Sequence, residues 1–171
     1  MITLSNVDWS ECAVTRMGAT HLVSLLSKFK MIRTPDTIRP ENHLKLEMDD
    51  IIFDMAGLRC PDIGHIHDLL NFGENLAYDA ELVVHCAMGR SRSSAAVIAL
   101  LAQRNPNMEH EVVELVFSKA PYILPNSLII EMADSELQCG GRLIRAVNGL
   151  PGKLSYTLNG FVSFPFILQH K

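Results

Sequence analysis

Residues 81–104 read ELVVHCAMGRSRSSAAVIALLAQR, a strand-length segment, a short loop and a helix-length segment in succession. Glu81 to His85 has a wholly apolar centre and strand length, so it reads as a short buried strand. Ser93 to Gln103 is apolar around its whole circumference at helical length, so it reads as a central helix rather than a surface one. The loop between them, Cys86 to Arg92, contains Gly89, which can take a positive φ and tighten the turn. In α/β sheets, ligands bind where a strand passes through a short loop into a helix.

Ile2 to Val7 reads as a short strand. Asp8 is placed to cap a helix that carries Trp9, Ala13, Val14 and Met17 on one face and stops at Gly18. Thr20 to Leu26 (THLVSLL) reads as a buried strand. Ser27 to Asn42, with two prolines and scattered charges, reads as a loop. His43 to Met48 (HLKLEM) alternates polar and apolar residues, which fits a half-buried strand, and Asp49 to Cys60 is an acidic loop. Pro61 opens a helix with Ile63, Ile66, Leu69, Leu70 and Phe72 inward. Gly64 and Gly73 weaken it by about 1 kcal/mol each relative to Ala. Beyond the central helix, Asn105-Pro106 starts another helix, with Met108, Val112, Val113 and Val116 inside, and Pro121 stops it. Pro125-Asn126 starts a last helix, with Leu128, Ile129, Met132, Ala133 and Leu137 inside, and Gly140-Gly141 ends it. Strands alternate with helices early and helices accumulate late. This order predicts one α/β domain, a central, mostly parallel sheet flanked by helices.

That domain is expected over residues 1–149, followed by a C-terminal tail over 150–171. In the tail, Lys153 to Leu158 and Phe161 to Phe166 flank Asn159-Gly160, a strong hairpin signal. The plainer expectation is a hairpin on the sheet edge or packed on a helix. A partner-binding flap is the alternative, because three of the seven Phe residues lie here.

Composition narrows the function. With 15 Lys and Arg against 19 Asp and Glu, the net charge is −4, which argues against a general nucleic-acid binder. Hydrophobic residues at 48% exclude disorder over most of the chain. The longest apolar run, Ala95 to Ala102, is too short for a bilayer, so no membrane partner is expected. The first residues carry Asp8 and Glu11 and no basic run, unlike a signal peptide, so the expected location is cytoplasmic. Cysteines 12, 60, 86 and 139 form no CxxC pair and are expected as free thiols, with no metal and no cofactor. His65 and His67 are two apart on a helix and do not share a face, which disfavours a metal site there.

The loop carries the chemistry. Backbone N–H groups of Ala87, Met88, Gly89, Arg90 and Ser91, together with the N-terminus of the following helix, make an anion site. Arg92 can fork onto a phosphate through two parallel hydrogen bonds. Cys86 opens the ring, and cations and a helix N-terminus favour a thiolate over a thiol. Such a thiolate can attack phosphorus and form a cysteinyl-phosphate. Ser93 can donate its hydroxyl to the sulfur and improve it as a leaving group, and His85 can orient the loop from behind.

Cys86-x5-Arg92, within the fuller string His85 to Ser93, resembles the signature of the cysteine-dependent protein tyrosine phosphatases in its dual-specificity form. The resemblance covers roughly residues 20–140 and is nearest to small bacterial tyrosine-phosphatase-like proteins. It implies a single-domain phosphatase-like fold and a phosphorylated protein substrate, with phosphotyrosine first and phosphoserine or phosphothreonine as further substrates. Phosphate and other oxyanions are expected to bind the loop. The family's general acid is an Asp after a strand, a few tens of residues before the cysteine. The resemblance places it at Asp50, 36 residues before Cys86, with Asp49 and Asp54 as rivals. It also makes Asn126, at the start of the last helix, a brace for the loop as well as a cap. Lipid-directed members often carry lysines in this loop, and here positions 87–91 are Ala, Met, Gly, Arg and Ser. The alternative is a catalytically weak or inactive phosphoprotein-binding module on the same fold.

Overall fold

The computed structural model describes residues 1–151 and 160–168. Its strands are β1 (Ile2–Asn6), β2 (His21–Leu26), β3 (His43–Glu47), β4 (Leu82–Cys86) and β5 (Phe161–Phe164). Its helices are α1 (Val7–Met17), α2 (Ile63–Glu74), α3 (Arg92–Arg104), α4 (Glu109–Lys119), α5 (Ser127–Glu136) and α6 (Arg142–Asn148). The sheet order is β3-β2-β4-β1-β5, with the first four strands parallel and β5 antiparallel on β1.

Side chains alternate between the two faces of a strand, so register decides what each face holds. One row across the sheet is Leu44, Val23, Val84, Leu4 and Val162. It packs in the larger core with α3, whose residues Ala95 to Leu101 are each no more than 2% exposed. A helix apolar on all sides is stable only with neighbours all round, and α2, α4 and α5 supply them. The other face carries Leu22 and Val83, which close a smaller core with Ala13 and Val14 of α1. No helix among the described residues is long and apolar enough to cross a membrane.

Several boundaries differ from the sequence reading. The cap of α1 is Asn6, not Asp8, because the helix follows directly on β1. The Asn6 Oδ1 accepts the Trp9 N–H at 2.9 Å, and Trp9 is left 40% exposed. Asp62 caps α2, with a reciprocal bond from its N–H to His65 Nδ1. Ile63 is thereby turned to solvent rather than inward. The glycine at 73 has a packing reason, since a Cβ there would lie 2.6 Å from Gln103 Oε1 and collide with Leu100 of α3. Asn105 does not start a helix. Its N–H closes α3 on Ala102, and α4 begins only at Glu109, after Asn107 turns at φ 65°. Helix α6 was not expected. Gly140 and Gly141, read as a stop, form a turn at φ 62° and 82° that leads into it.

Residues 153–158 of the expected hairpin lie outside the described residues. Its other half, β5, joins the domain's own sheet. Phe164 and Phe166 are buried in the core, and Asn105 clamps the segment by donating to the Phe166 carbonyl and accepting from Leu168 N–H.

Arg142 ties α6 to the first turn of α4 through Glu109, with Nε at 3.0 Å and Nη2 at 2.8 Å from its carboxylate. Those bonds hold the Glu109 carboxyl down at about 2 from its ordinary 4.5. A depressed folded value means this stabilisation is complete above pH 4.5 and is lost as pH falls toward 2. Glu109→Gln is therefore expected to lower stability at neutral pH by about 1–2 kcal/mol, since Arg142 is half exposed. Denaturant titrations of the two proteins should converge below that window. Parallel curves down to pH 2 would refute the assignment.

Candidate active site

Cys86 ends β4 in the middle of the sheet and is 1% exposed. The chain then leaves the sheet through residues 87–91 and enters α3 at Arg92. Gly89 takes φ 65°, the left-handed turn that its lack of a Cβ permits. Among the described residues, the N–H groups of Met88, Gly89, Arg90 and Ser91 have no protein acceptor. Ser93, at the first turn of α3, is fully buried, and its hydroxyl donates to Cys86 Sγ at 3.1 Å. The expected pairing of Ser93 with the sulfur is thus present in the geometry.

Arg92 is 7% exposed. Its Nη1 donates to the Met48 carbonyl at 2.8 Å, at the point where the chain leaves β3. Its Nε is buried without a hydrogen-bond partner, as is that of Arg90. Buried guanidinium N–H groups without acceptors are costly unless a ligand supplies them. Loop amides and the Arg92 guanidinium suit a multivalent oxyanion.

Of the three carboxylates weighed for the acid, Asp50 is the one that touches this loop. Its Oδ1 accepts the Ser91 hydroxyl at 2.7 Å and the Asn126 amide at 3.1 Å, and its Oδ2 lies 3.9 Å from Arg92 Nε. Asp49 is occupied in closing its own loop, with its carboxylate on Arg59 N–H at 2.8 Å and its N–H on the Arg59 carbonyl. Asp54 lies exposed further along. Asn126 is placed where both readings given to it put it. Its Oδ1 caps α5 at Ile129 N–H, while its Nδ2 reaches Asp50 and the Ile51 carbonyl and its own N–H reaches the Ser91 carbonyl. Leu124 N–H adds a bond to the Arg90 carbonyl. The segment before α5 therefore holds the loop from outside.

His85 is fully buried behind the loop, and its Nε2 lies 2.6 Å from Ser24 Oγ on β2. The sequence reading did not include Ser24, nor the Met48 carbonyl that anchors Arg92. A hydroxyl inside the apolar run HLVSLL was the available signal for Ser24. Main-chain anchors leave none. His65 and His67 diverge, one into the Asp62 cap and the other to Glu136 at 2.7 Å. Among the described residues no group of three or more His, Cys, Asp or Glu is placed to hold a metal ion.

Beside the loop, a cleft of about 630 Å³ is lined by Ile52, Phe53, Met55 and Leu124 with Arg90 and Asp50. Phe53 is 64% exposed and Met88, in the loop itself, 59%. The cleft is thus mostly apolar, with Arg90 and Asp50 as its charged groups.

Parallel strands feeding a cysteine-headed loop into a buried helix define a phosphatase-like α/β domain. No family model matches the chain. A curated relative, dual specificity protein phosphatase MPK-4 of Drosophila melanogaster, is 30% identical over a 132-residue alignment that covers 74% of this chain and 34% of that protein. The chain thus spans about a third of the relative's length. Among solved structures, the human tyrosine phosphatase-like serine/threonine/tyrosine-interacting protein superposes with a TM-score of 0.62 at 16% identity, covering 81% of this chain and 92% of that one. Human DUSP28 superposes at 0.60 and 17% identity, with the same coverages. These likenesses show the fold. The chain is thus similar to the dual-specificity members of the protein tyrosine phosphatase superfamily, in sequence over 74% of its length and in fold.

Proposed function

We propose that this chain hydrolyses phosphomonoesters of proteins, phosphotyrosine first, through a cysteinyl-phosphate on Cys86. One observation carries the reading. The Cys86 sulfur, bonded by Ser93, sits at the head of a loop whose amides and Arg92 Nε have no protein acceptor. In the first step the thiolate attacks phosphorus and the ester oxygen leaves with a proton from Asp50. Loop amides and Arg92 hold the three equatorial oxygens as charge spreads over them. In the second step Asp50 takes a proton from water, the water oxygen attacks phosphorus, and the sulfur leaves as thiolate, helped by the Ser93 hydroxyl. The apolar cleft beside Arg90 suits a peptide with an aromatic phosphoester better than a polar, multiply charged headgroup. The dual-specificity relative supports a phosphatase, and the site geometry supports its cysteine-dependent form.

The test is hydrolysis of an aryl phosphate and a phosphotyrosine peptide in the presence of a chelator. Turnover is expected to be undiminished by the chelator, and loss on chelation would contradict the mechanism. Asp50→Ala should slow an alkyl or unactivated phenyl ester by about 100-fold and spare an ester of an acidic phenol, whose oxygen needs little protonation. If Asp54→Ala shows that leaving-group pattern and Asp50→Ala does not, the acid is Asp54.

A further inference from the structure

Behind the loop, on the α1 face of the sheet, four polar side chains form an unbroken line. Thr34 Oγ1 lies 2.9 Å from His43 Nδ1, His43 Nε2 lies 2.8 Å from Ser24 Oγ, and Ser24 Oγ lies 2.6 Å from His85 Nε2. Ser24 and His85 are fully buried, and His43 is 7% exposed. Strand register places them: His43 stands opposite Leu22, and Ser24 opposite His85, all on one face. Burial holds both histidines well below the ordinary 6.5, at about 4 each. Lys45 adds to this at His43, and His43 adds to it at His85. Both rings are therefore neutral at pH 7, and each carries one ring proton.

The Ser24 hydroxyl has one proton and faces two Nε2 atoms, so one ring donates to it and the other accepts from it. The remaining nitrogen, His85 Nδ1, is buried. It has no hydrogen-bond partner, and the adjoining Cys86 main chain favours the protonated ring, as a carbonyl does. A lone pair turned on a carbonyl is repelled, whereas an N–H is attracted. The consistent order runs inward. Thr34 donates to His43 Nδ1, His43 Nε2–H to Ser24, Ser24 to His85 Nε2, and His85 Nδ1–H faces Cys86.

We propose that Thr34, Ser24 and His43 are positioning residues that fix the tautomer and orientation of His85, and through it the backbone of Cys86 at the head of the loop. The proposal rests on Cys86 as the nucleophile and adds three residues to the machinery, from β2, β3 and the segment between them. A chain of neutral dipoles has no charge to transfer. Its effect is to hold the sulfur's backbone in one place, which is where nucleophilic catalysis loses most when geometry loosens.

Ring-nitrogen NMR of the full chain at pH 7 tests the direction. His43 is expected as the Nε2–H tautomer and His85 as the Nδ1–H tautomer. The opposite pair of tautomers would overturn the proposal. Ser24→Ala, which adds no bulk to the core, should alter the His85 tautomer signals and slow iodoacetamide alkylation of Cys86. It should also lower kcat about tenfold with KM nearly constant. His43→Leu should do the same, and His43→Gln, which can still donate to Ser24, should recover most of the loss. Should His43→Leu fail to fold, Ser24→Ala and the wild-type tautomers still decide. A folded Ser24→Ala with wild-type alkylation and kcat refutes the positioning role. Alkylation and NMR need no turnover, so failure here is distinguishable from failure of the phosphatase reading.

Discussion

Replacing Cys86 with serine is expected to abolish hydrolysis, with a loss of about four orders of magnitude or more, while leaving a folded protein. The geometry explains both halves. Serine keeps the shape of the side chain in a site 1% exposed, and its hydroxyl can still pair with Ser93, so the core around β4 and α3 is undisturbed. A hydroxyl keeps its proton at neutral pH where a thiol can give it up, so the nucleophile is lost without a cavity. Circular dichroism and a melting curve close to the wild type's, with no detectable aryl phosphate hydrolysis, constitute the expected result. Activity within tenfold of wild type would remove Cys86 from the mechanism.

Arg92→Lys is expected to be nearly as damaging, although it keeps the charge. In the proposed mechanism Arg92 has two jobs that a single ammonium does not combine. Its Nη1 ties the Met48 carbonyl at 2.8 Å, and its Nε is left for the oxyanion. A lysine can meet one of these demands and leaves the other group unpaired in a buried place. The rate should fall by about 100- to 1000-fold, the range seen when a transition-state donor is removed. Inhibition by inorganic phosphate should weaken alongside. Stability should drop by about 1–3 kcal/mol if the lysine abandons Met48, because that carbonyl is then buried without a donor. Near-normal phosphate inhibition in Arg92→Lys would mean that the loop amides, not the fork, hold the anion.

Much of this was legible in the chain because the decisive stretch is local. The switch from an alternating or wholly apolar strand to a wholly apolar helix across one short loop announces a parallel sheet edge, and Cys86, Gly89, Arg92 and Ser93 lie within eight residues of each other. Asp50 and Asn126 were found through resemblance, being 41 and 76 residues from the groups they meet, Ser91 and Asp50. What escaped was what depends on tertiary register. The pairing of Ser24 with His85 exists only because β2 and β4 are neighbours in a given alignment, which periodicity alone does not specify. Boundaries failed where one residue had two readings. Asn105 and Gly140-Gly141 look like a start and a stop, yet one closes α3 and the other opens α6. The caps Asn6 and Asp62 were each missed by one or two positions because a neighbouring Asp8 or Pro61 offered the same signal.

The proposed mechanism requires that phosphorus be transferred to the Cys86 sulfur. The most direct measurement is to mix the wild-type chain with a labelled aryl phosphate, quench within one turnover, and locate the label by mass spectrometry. The expected result is one phosphoryl group on the peptide containing Cys86, lost on further incubation and absent from Cys86→Ser. Label on another residue, hydrolysis with no labelled intermediate, or a folded wild type that neither hydrolyses nor takes up label would contradict it.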